Sequence, residues 1–330
     1  MAIEIFRDSK VVKVLAAEAR KENIDSAIRA EADAIVKDLA NDPSPHNLHM
    51  MAQLVKFGVA ELLPAKSNFI EQIADTKRVA IGDDAAFEVK IPGITAVVQA
   101  KNATTPRSKN GRKQIVLDTV EVSARPAVKL YELQSGKANM ADMINNASDE
   151  MTKAKLNLLE NTLLSGAAVW QAPFYGAGSG VVAATLDPMI QHWMRTGGAA
   201  VIGDISAVQK LAELSGFTAN TNTQFADGMI DIFHKTGSIG HYKGAVVTQL
   251  VNPYGFNGSP VLNTKALYIL PVGADAASRP LKYVEEGDVY TIEATNIDDV
   301  TFEIRLGQYV GAGLAVGGSP AMSVYVDQSV

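Results

Sequence analysis

Residues 121–166 read EVSARPAVKLYELQSGKANMADMINNASDEMTKAKLNLLENTLLSG, and two structural periods meet inside them. Val128–Leu133 has strand character, and from Asn139 to Ser165 the apolar residues follow a helical period instead. Met140, Met143, Ile144, Ala147, Met151, Ala154, Leu158, Leu159, Thr162 and Leu163 mark one face of that helix. Asn139 is a capping residue type, Asp142 falls in the first turn, and Gly166 supplies a stop. At 1.5 Å per residue the segment makes a rod of about 40 Å, long for a globular helix.

Upstream, Ile24–Ala40 repeats apolar residues at Ile28, Ala32, Ile35 and Leu39, with charge on the other face. Asn41-Asp42-Pro43-Ser44-Pro45 ends it. A second helix is expected from His46 to Leu63, stopped by Pro64. These two helices are insulated from the rest of the pattern, so their apolar faces are expected to bury against neighbouring chains and not in the subunit's own core. The period then changes to two. Val79–Ile81, Phe87–Ile91, Ile94–Lys101 and Ile115–Val122 read as strands, and Asn102–Lys113 is a polar tip between the last two. Ala85–Ser123 is therefore expected to form a long two-stranded excursion, which is marginal in water unless it lies on something else.

Downstream, Pro173–Gly180 connects to a helix opened by Asp187-Pro188 and running to Arg195. A buried strand at Ala199–Gly203, a helix capped by Asp204 or Ser206, a short helix at Phe225–His234 and strands at Ala245–Leu250 and Ala266–Val272 complete an α/β unit. The remainder is β: Leu281–Glu285, Val289–Ala294, Val300–Leu306 and Met322–Val326, with turns at Glu286-Gly287-Asp288 and Asn296–Asp299. No solenoid-period repeat is present.

The 330-residue chain is 47% hydrophobic and 20% charged, an ordinary globular balance that argues against wholesale disorder. With no cysteine, it has no disulfide framework, thiolate metal site or cysteine nucleophile. Its net charge of -6 argues against a basic nucleic-acid binder. No apolar run is long enough to span a bilayer, and Met1–Lys10 lacks the apolar stretch of a secretory leader.

No Walker, zincin or nucleophile-elbow motif occurs. Gly176-Ala-Gly178-Ser-Gly180 lacks the strand, spacing and helix of a dinucleotide loop and reads as a linker. His46 and His49 share a helical face without a carboxylate in the same turn, so capping or surface roles outweigh a half metal site. An enzyme reading has no residue to rest on, and neither a cofactor nor a metal is expected.

One segment departs from the acidic average. Lys101, Arg107, Lys109, Arg112 and Lys113 place five positive charges in 13 residues, with no acid among them. A solvated loop explains this as readily as docking against an acidic surface of a neighbouring copy. Nucleic-acid binding ranks third, because no aromatic residue interleaves the charges. Glu285, Glu286, Asp298 and Asp299, at the expected turns, are the candidate acidic partners.

The order of arm, basic-tipped hairpin, long helix, α/β unit and returning strands resembles the Hong Kong 97-type shell fold of tailed-bacteriophage major capsid proteins. The likeness is best over Glu121–Gly166 and over Val300–Val326 (VTFEIRLGQYVGAGLAVGGSPAMSVYV), and Ile239–Gly244 also resembles that fold's axial domain. The resemblance implies an α+β fold with an N-terminal arm over 1–63 and an extended loop over 85–123. It further implies a peripheral domain with a spine helix over 64–84, 124–166 and 281–309, and an axial domain over 167–280 and 310–330. It implies a non-enzymatic head protein found in the virion, and in the host cytoplasm during assembly. Such a protein assembles through hexamers and pentamers into an icosahedral or prolate shell around double-stranded DNA held by proximity alone. A separate scaffolding protein, a portal and decoration proteins are the other implied partners, and no membrane is involved. The competing readings are an encapsulin-like compartment and another phage assembly protein.

Overall fold

The structure, a computed structural model, describes residues 10–22, 24–66, 68–91, 93, 107–219, 238–250, 252–255, 257–272, 278–296, 300–316 and 320–329. Four helices open it: α1 (Lys10–Ala19), α2 (Ser26–Asn41), α3 (Pro45–Lys66) and α4 (Asn68–Ile73). Asp25 starts α2 by accepting from the Ala27 N–H at 2.9 Å. Pro64 does not stop α3. It lies in the last turn, where its missing N–H deprives only one carbonyl, that of Ala60, and the helix continues to Lys66.

The expectation that these helices stay outside the subunit's core is overturned. Leu15, Met51, Val55, Val59 and Leu62 are all fully buried, in one cluster with Ile144, Met151, Leu159 and Phe302. Gly58 permits the approach, since a Cβ there would stand 2.8 Å from Ile144 Cδ1. The apolar faces do have covers, but these are helices far downstream that a local pattern does not reveal.

The chain then forms β1 (Asp75–Val79), β2 (Ala86–Ile91), β3 (Gly111–Val116), β4 (Val120–Ala124) and β5 (Ala127–Lys129). The expected excursion is shorter than 85–123. β2 and β3 pair antiparallel from Ala86↔Val116 to Ile91↔Gly111, while β4 leaves the hairpin to pair with a later strand. The strand expected at Ile94–Lys101 lies outside the described residues. Val128–Leu133 is divided: after β5 comes α5 (Leu130–Ser135), closed by Gly136 at φ 71°.

The long helix α6 spans Met140–Ala167, with the Asn139 side chain accepting from the Ala141 N–H at 2.8 Å. Gly166 continues it. A Cβ at that position would lie 2.0 Å from Leu314 Cδ1, so the glycine serves close helix–sheet contact and not termination.

Two sheets flank α6. Later strands are β6 (Tyr175–Gly178), β7 (Ala199–Gly203), β8 (Phe217–Ala219), β9 (Ser238–Tyr242), β10 (Ala245–Gln249), β11 (Ala266–Pro271), β12 (Leu281–Asn296), β13 (Thr301–Leu314) and β14 (Ser323–Asp327). The first sheet runs β1-β12-β13-β4, with β5 also on β13. The turn expected at Glu286-Gly287-Asp288 is instead a bulge in a continuous strand. The register shifts between Glu286 and Tyr290, with Gly287 at φ 69°, so the extra residues are absorbed without reversing the chain.

The second sheet runs β6-β14-β11-β7-β10-β9-β8. Strand alternation gives it two apolar faces. Val201, Val247, Leu267 and Tyr325 pack with α7 (Ala183–Arg195) and α8 (Ile205–Ala212). Ile202, Tyr268 and Val324 join the cluster around α6. Asp204 caps α8 through the Ser206 N–H at 2.8 Å. Pro188, expected to open α7, lies inside it, and Val182 takes the N-cap position. The helix expected at Phe225–His234 lies outside the described residues. The fold is α+β, in the element order that the Hong Kong 97 resemblance implies.

Glu160 pins this second sheet to α6. It accepts from the Asn263 N–H at 2.7 Å and from the Tyr268 hydroxyl. Burial pushes its carboxyl above the ordinary range, and these two donors offset only part of that. A carboxyl with a raised folded pKa costs stability while ionised and returns it as pH falls through that pKa. Unfolding by urea should therefore show a stabilising contribution on acidification from neutrality that Glu160→Gln lacks. The variant should also be less stable, by about 1–3 kcal/mol, because one buried donor loses its acceptor. Identical pH slopes for parent and variant would refute the assignment.

Candidate assembly surfaces

The β2–β3 hairpin is anchored at its root. Ala85 and Phe87 bury against Val284, with Val79 and Leu117 alongside. The Lys77 ammonium donates to the Ala86 carbonyl at 2.9 Å, and Lys77 and Lys282 both lie within 6 Å of the Phe87 ring. Two further bonds converge on the bulge: Glu286 accepts from the Gly82 N–H at 2.8 Å and from the Thr119 hydroxyl at 2.6 Å. The connections on both sides of the hairpin are thus tied to one carboxylate. Away from the root, the Gly93 N–H donates to Asn110 Oδ1 at 3.0 Å, and Arg107, Lys109, Arg112 and Lys113 are exposed.

The basic residues are not equivalent. Arg107 and Lys109 lie on the approach to β3, whereas Arg112 and Lys113 are within it. Arg112 pairs with Glu88 of β2 at 2.9 Å, so its charge is partly answered inside the hairpin. Lys101 lies outside the described residues.

The acidic candidates divide in the same way. Asp298 and Asp299 are outside the described residues. Glu285 and Glu286 are on β12, not at a reversing turn. Glu285 is engaged within its own subunit, by Lys155 at 2.9 Å and by Arg78 at 3.0 Å. Burial raises its pKa, but the neighbouring Lys155 and Arg78 charges win and hold the carboxyl below its ordinary range. Glu286 is also held low, by the Thr119 and Gly82 donors.

Lys155 escaped the sequence reading, which placed Ile144, Met151, Leu159 and Leu163 on the apolar face of α6 but not the lysine among them. The buried stripe actually includes Ile144, Met151, Lys155, Leu159 and Leu163. The missed signal was phase: Lys155 stands four residues after Met151 and four before Leu159. It lines a cleft of about 630 Å³ with Pro64, Ile70, Arg78, Tyr283, Glu285 and Gln308.

Large apolar side chains are exposed around the hairpin root. Ile81 is 67%, Val116 52% and Val120 51% exposed, more than a solvated root requires. Among the described residues no group of three or more histidine, aspartate or glutamate side chains is arranged to hold a metal, and no helix is long and apolar enough to cross a membrane.

A family model described as "SPbeta prophage-derived putative capsid protein YonB" matches residues 3–323. No curated protein matches the sequence. Among solved structures, the capsid of an empty GTA particle is similar at TM-score 0.49 and 13% identity, over 78% of this chain and 88% of that one. The mature capsid of bacteriophage PhiM1 is similar at TM-score 0.47 and 11% identity, over 77% and 85%. A virus-like particle from Pyrococcus furiosus is similar at TM-score 0.45 and 12% identity, over 81% and 97%.

Proposed function

The chain belongs to the YonB family of prophage-derived capsid proteins, and we propose from this premise that it is the major shell subunit of a tailed-phage head. Hexamers and pentamers of the subunit tile an icosahedral or prolate shell around double-stranded DNA, in the virion and earlier in the host cytoplasm. The protein is structural and performs no catalysis on an external substrate. The observation that carries the reading is the hairpin. It is fastened at its root, flanked there by exposed Ile81, Val116 and Val120, and tipped with exposed cations. Apolar surface of this kind contributes about 25 cal/mol per Å² when a neighbour covers it, and repetition around a closed surface multiplies modest contacts.

In this reading residues 86–116 are the extended loop, shorter than 85–123 because β4 joins the first sheet, and residues 1–63 are the N-terminal arm. The peripheral domain comprises 64–84, 124–166 and 281–314, the last bound moved from 309 because β13 stays paired with β12 to Leu314, and the axial domain comprises 167–280 and 315–330. The arm includes helices that also complete the subunit's core. The tip residues Lys101, Arg107, Lys109 and Lys113 meet acidic surface of an adjacent copy, with Asp298 and Asp299 as partners. Glu285 and Glu286 serve the subunit's own frame. Scaffolding, portal and decoration proteins are the further partners of such a head.

The test is the content of particles purified from cells carrying the whole prophage. Nuclease-resistant double-stranded DNA inside particles built from this chain is expected. Particles that enclose a protein cargo and no DNA would support an encapsulin-like compartment instead.

A further inference from the structure

Lys155 is a buried nucleophile for which shell building has no evident use. Its side chain is 1% exposed, at the middle of α6, facing the first sheet. Its Nζ donates to Glu285 Oε1 at 2.9 Å and to Gln308 Oε1 at 2.6 Å. Gln308, on β13, is 6% exposed. A carboxylate alone suffices to pair a buried ammonium. Here an amide also presses against it, and the amine lies within hydrogen-bond reach of both amide and carboxyl at the floor of the cleft. Such fixed proximity removes the entropic part of the barrier to amide exchange, and proton transfer to the leaving nitrogen must lower the rest.

We propose that Lys155 and Gln308 join in an isopeptide bond within the subunit, with Glu285 as the proton carrier. Glu285 takes a proton from the Lys155 ammonium, and the neutral Nζ attacks Gln308 Cδ. The Nζ–Cδ bond forms and the Cδ–Nε2 bond breaks. The proton held by Glu285 and the surplus proton of Nζ pass to the departing nitrogen, which leaves as ammonium. Glu285 ends as the carboxylate it was at the start, and neither an oxidant nor a co-reactant is consumed. Burial lowers the Lys155 pKa, an effect that the Glu285 charge only partly opposes, and this eases loss of its proton; Glu285, itself held low, carries that proton only transiently. Arg78, whose side chain is 74% exposed, holds the far oxygen of Glu285 at 3.0 Å and fixes its orientation. The cleft lined by Arg78, Lys155 and Gln308 gives the ammonium a route to solvent. The bond would tie α6 covalently to β13.

Because all three groups belong to one chain, the reaction needs no assembly. The test is denaturing mass spectrometry with peptide mapping on the full-length expressed protein. The expected result is a chain lighter by one ammonia, with a branched peptide joining the segments that contain Lys155 and Gln308. Separate linear peptides for those two segments would overturn the proposal. So would an ammonia loss mapping elsewhere, such as a succinimide at Asn110-Gly111. Glu285→Gln should retain both reacting side chains yet give the linear peptides, and a branched peptide in that variant would remove Glu285 from the mechanism. Gln308→Leu should give linear peptides even if it folds poorly, because the readout is taken on denatured chains.

Discussion

A chain lacking residues 1–63 should fail to fold, losing the cooperative thermal transition of the parent and becoming sensitive to protease throughout. Leu15, Met51, Val55, Val59 and Leu62 are fully buried, and burial of each such side chain contributes about 1.5–3 kcal/mol. The net stability of a folded domain is only about 5–15 kcal/mol, so losing this set removes an amount comparable to the whole. The deletion would also uncover Ile144, Met151 and Leu159 on α6, which share their cluster. Circular dichroism during heating decides the matter. A deletion variant that melts cooperatively near the parental temperature would show that the helices are an independent arm after all.

Reversing the charge of Arg107, Lys109 and Lys113 together to glutamate should have the opposite profile: an unchanged melting temperature with assembly abolished or displaced to high salt. All three side chains are exposed. Arg112 is left alone because its bond to Glu88 belongs to the hairpin. One exposed ion pair is worth only about 0–1 kcal/mol, and a single substitution would be hard to read. Three reversals turn attraction into repulsion at every copy of the contact. Since screening acts over about 8 Å at physiological salt, sedimentation across a salt series separates the cases. A triple variant that assembles with the parental salt dependence would mean the tip is merely solvated.

Much of this architecture was legible in the sequence because the signals were local. The Asn139 cap, the period of α6, the strand Ala199–Gly203 and the Asp204 cap all depend on residues a few positions apart. What escaped depended on distant partners. Gly166 reads as a helix stop, yet its role is to admit Leu314. Glu286-Gly287-Asp288 has turn composition, yet β13 continues to pair on both sides of it and makes it a bulge. The apolar face of α3 was legible, but not that α6 covers it; on α2 the buried residues are Ala32, Val36 and Ala40 while Ile35 is exposed, and α5 is the helix that packs there. The buried Lys155 was hidden for a related reason, since a cation in phase with an apolar stripe is legible as buried only once Glu285 and Gln308 are known to face it. Of the candidate site, the basic tip was readable as composition. The commitment of Glu285 to its own subunit was not, because Lys155 and Arg78 reach it from other elements.

Electron microscopy of the full-length protein, expressed with and without a scaffolding protein from the same prophage, tests most directly whether this chain carries the geometry of a closed shell. Closed particles of uniform size are expected, with hexameric and pentameric clusters of the subunit visible on their surface. A well-folded protein that remains monomeric at every salt and protein concentration, with or without such a partner, would contradict it.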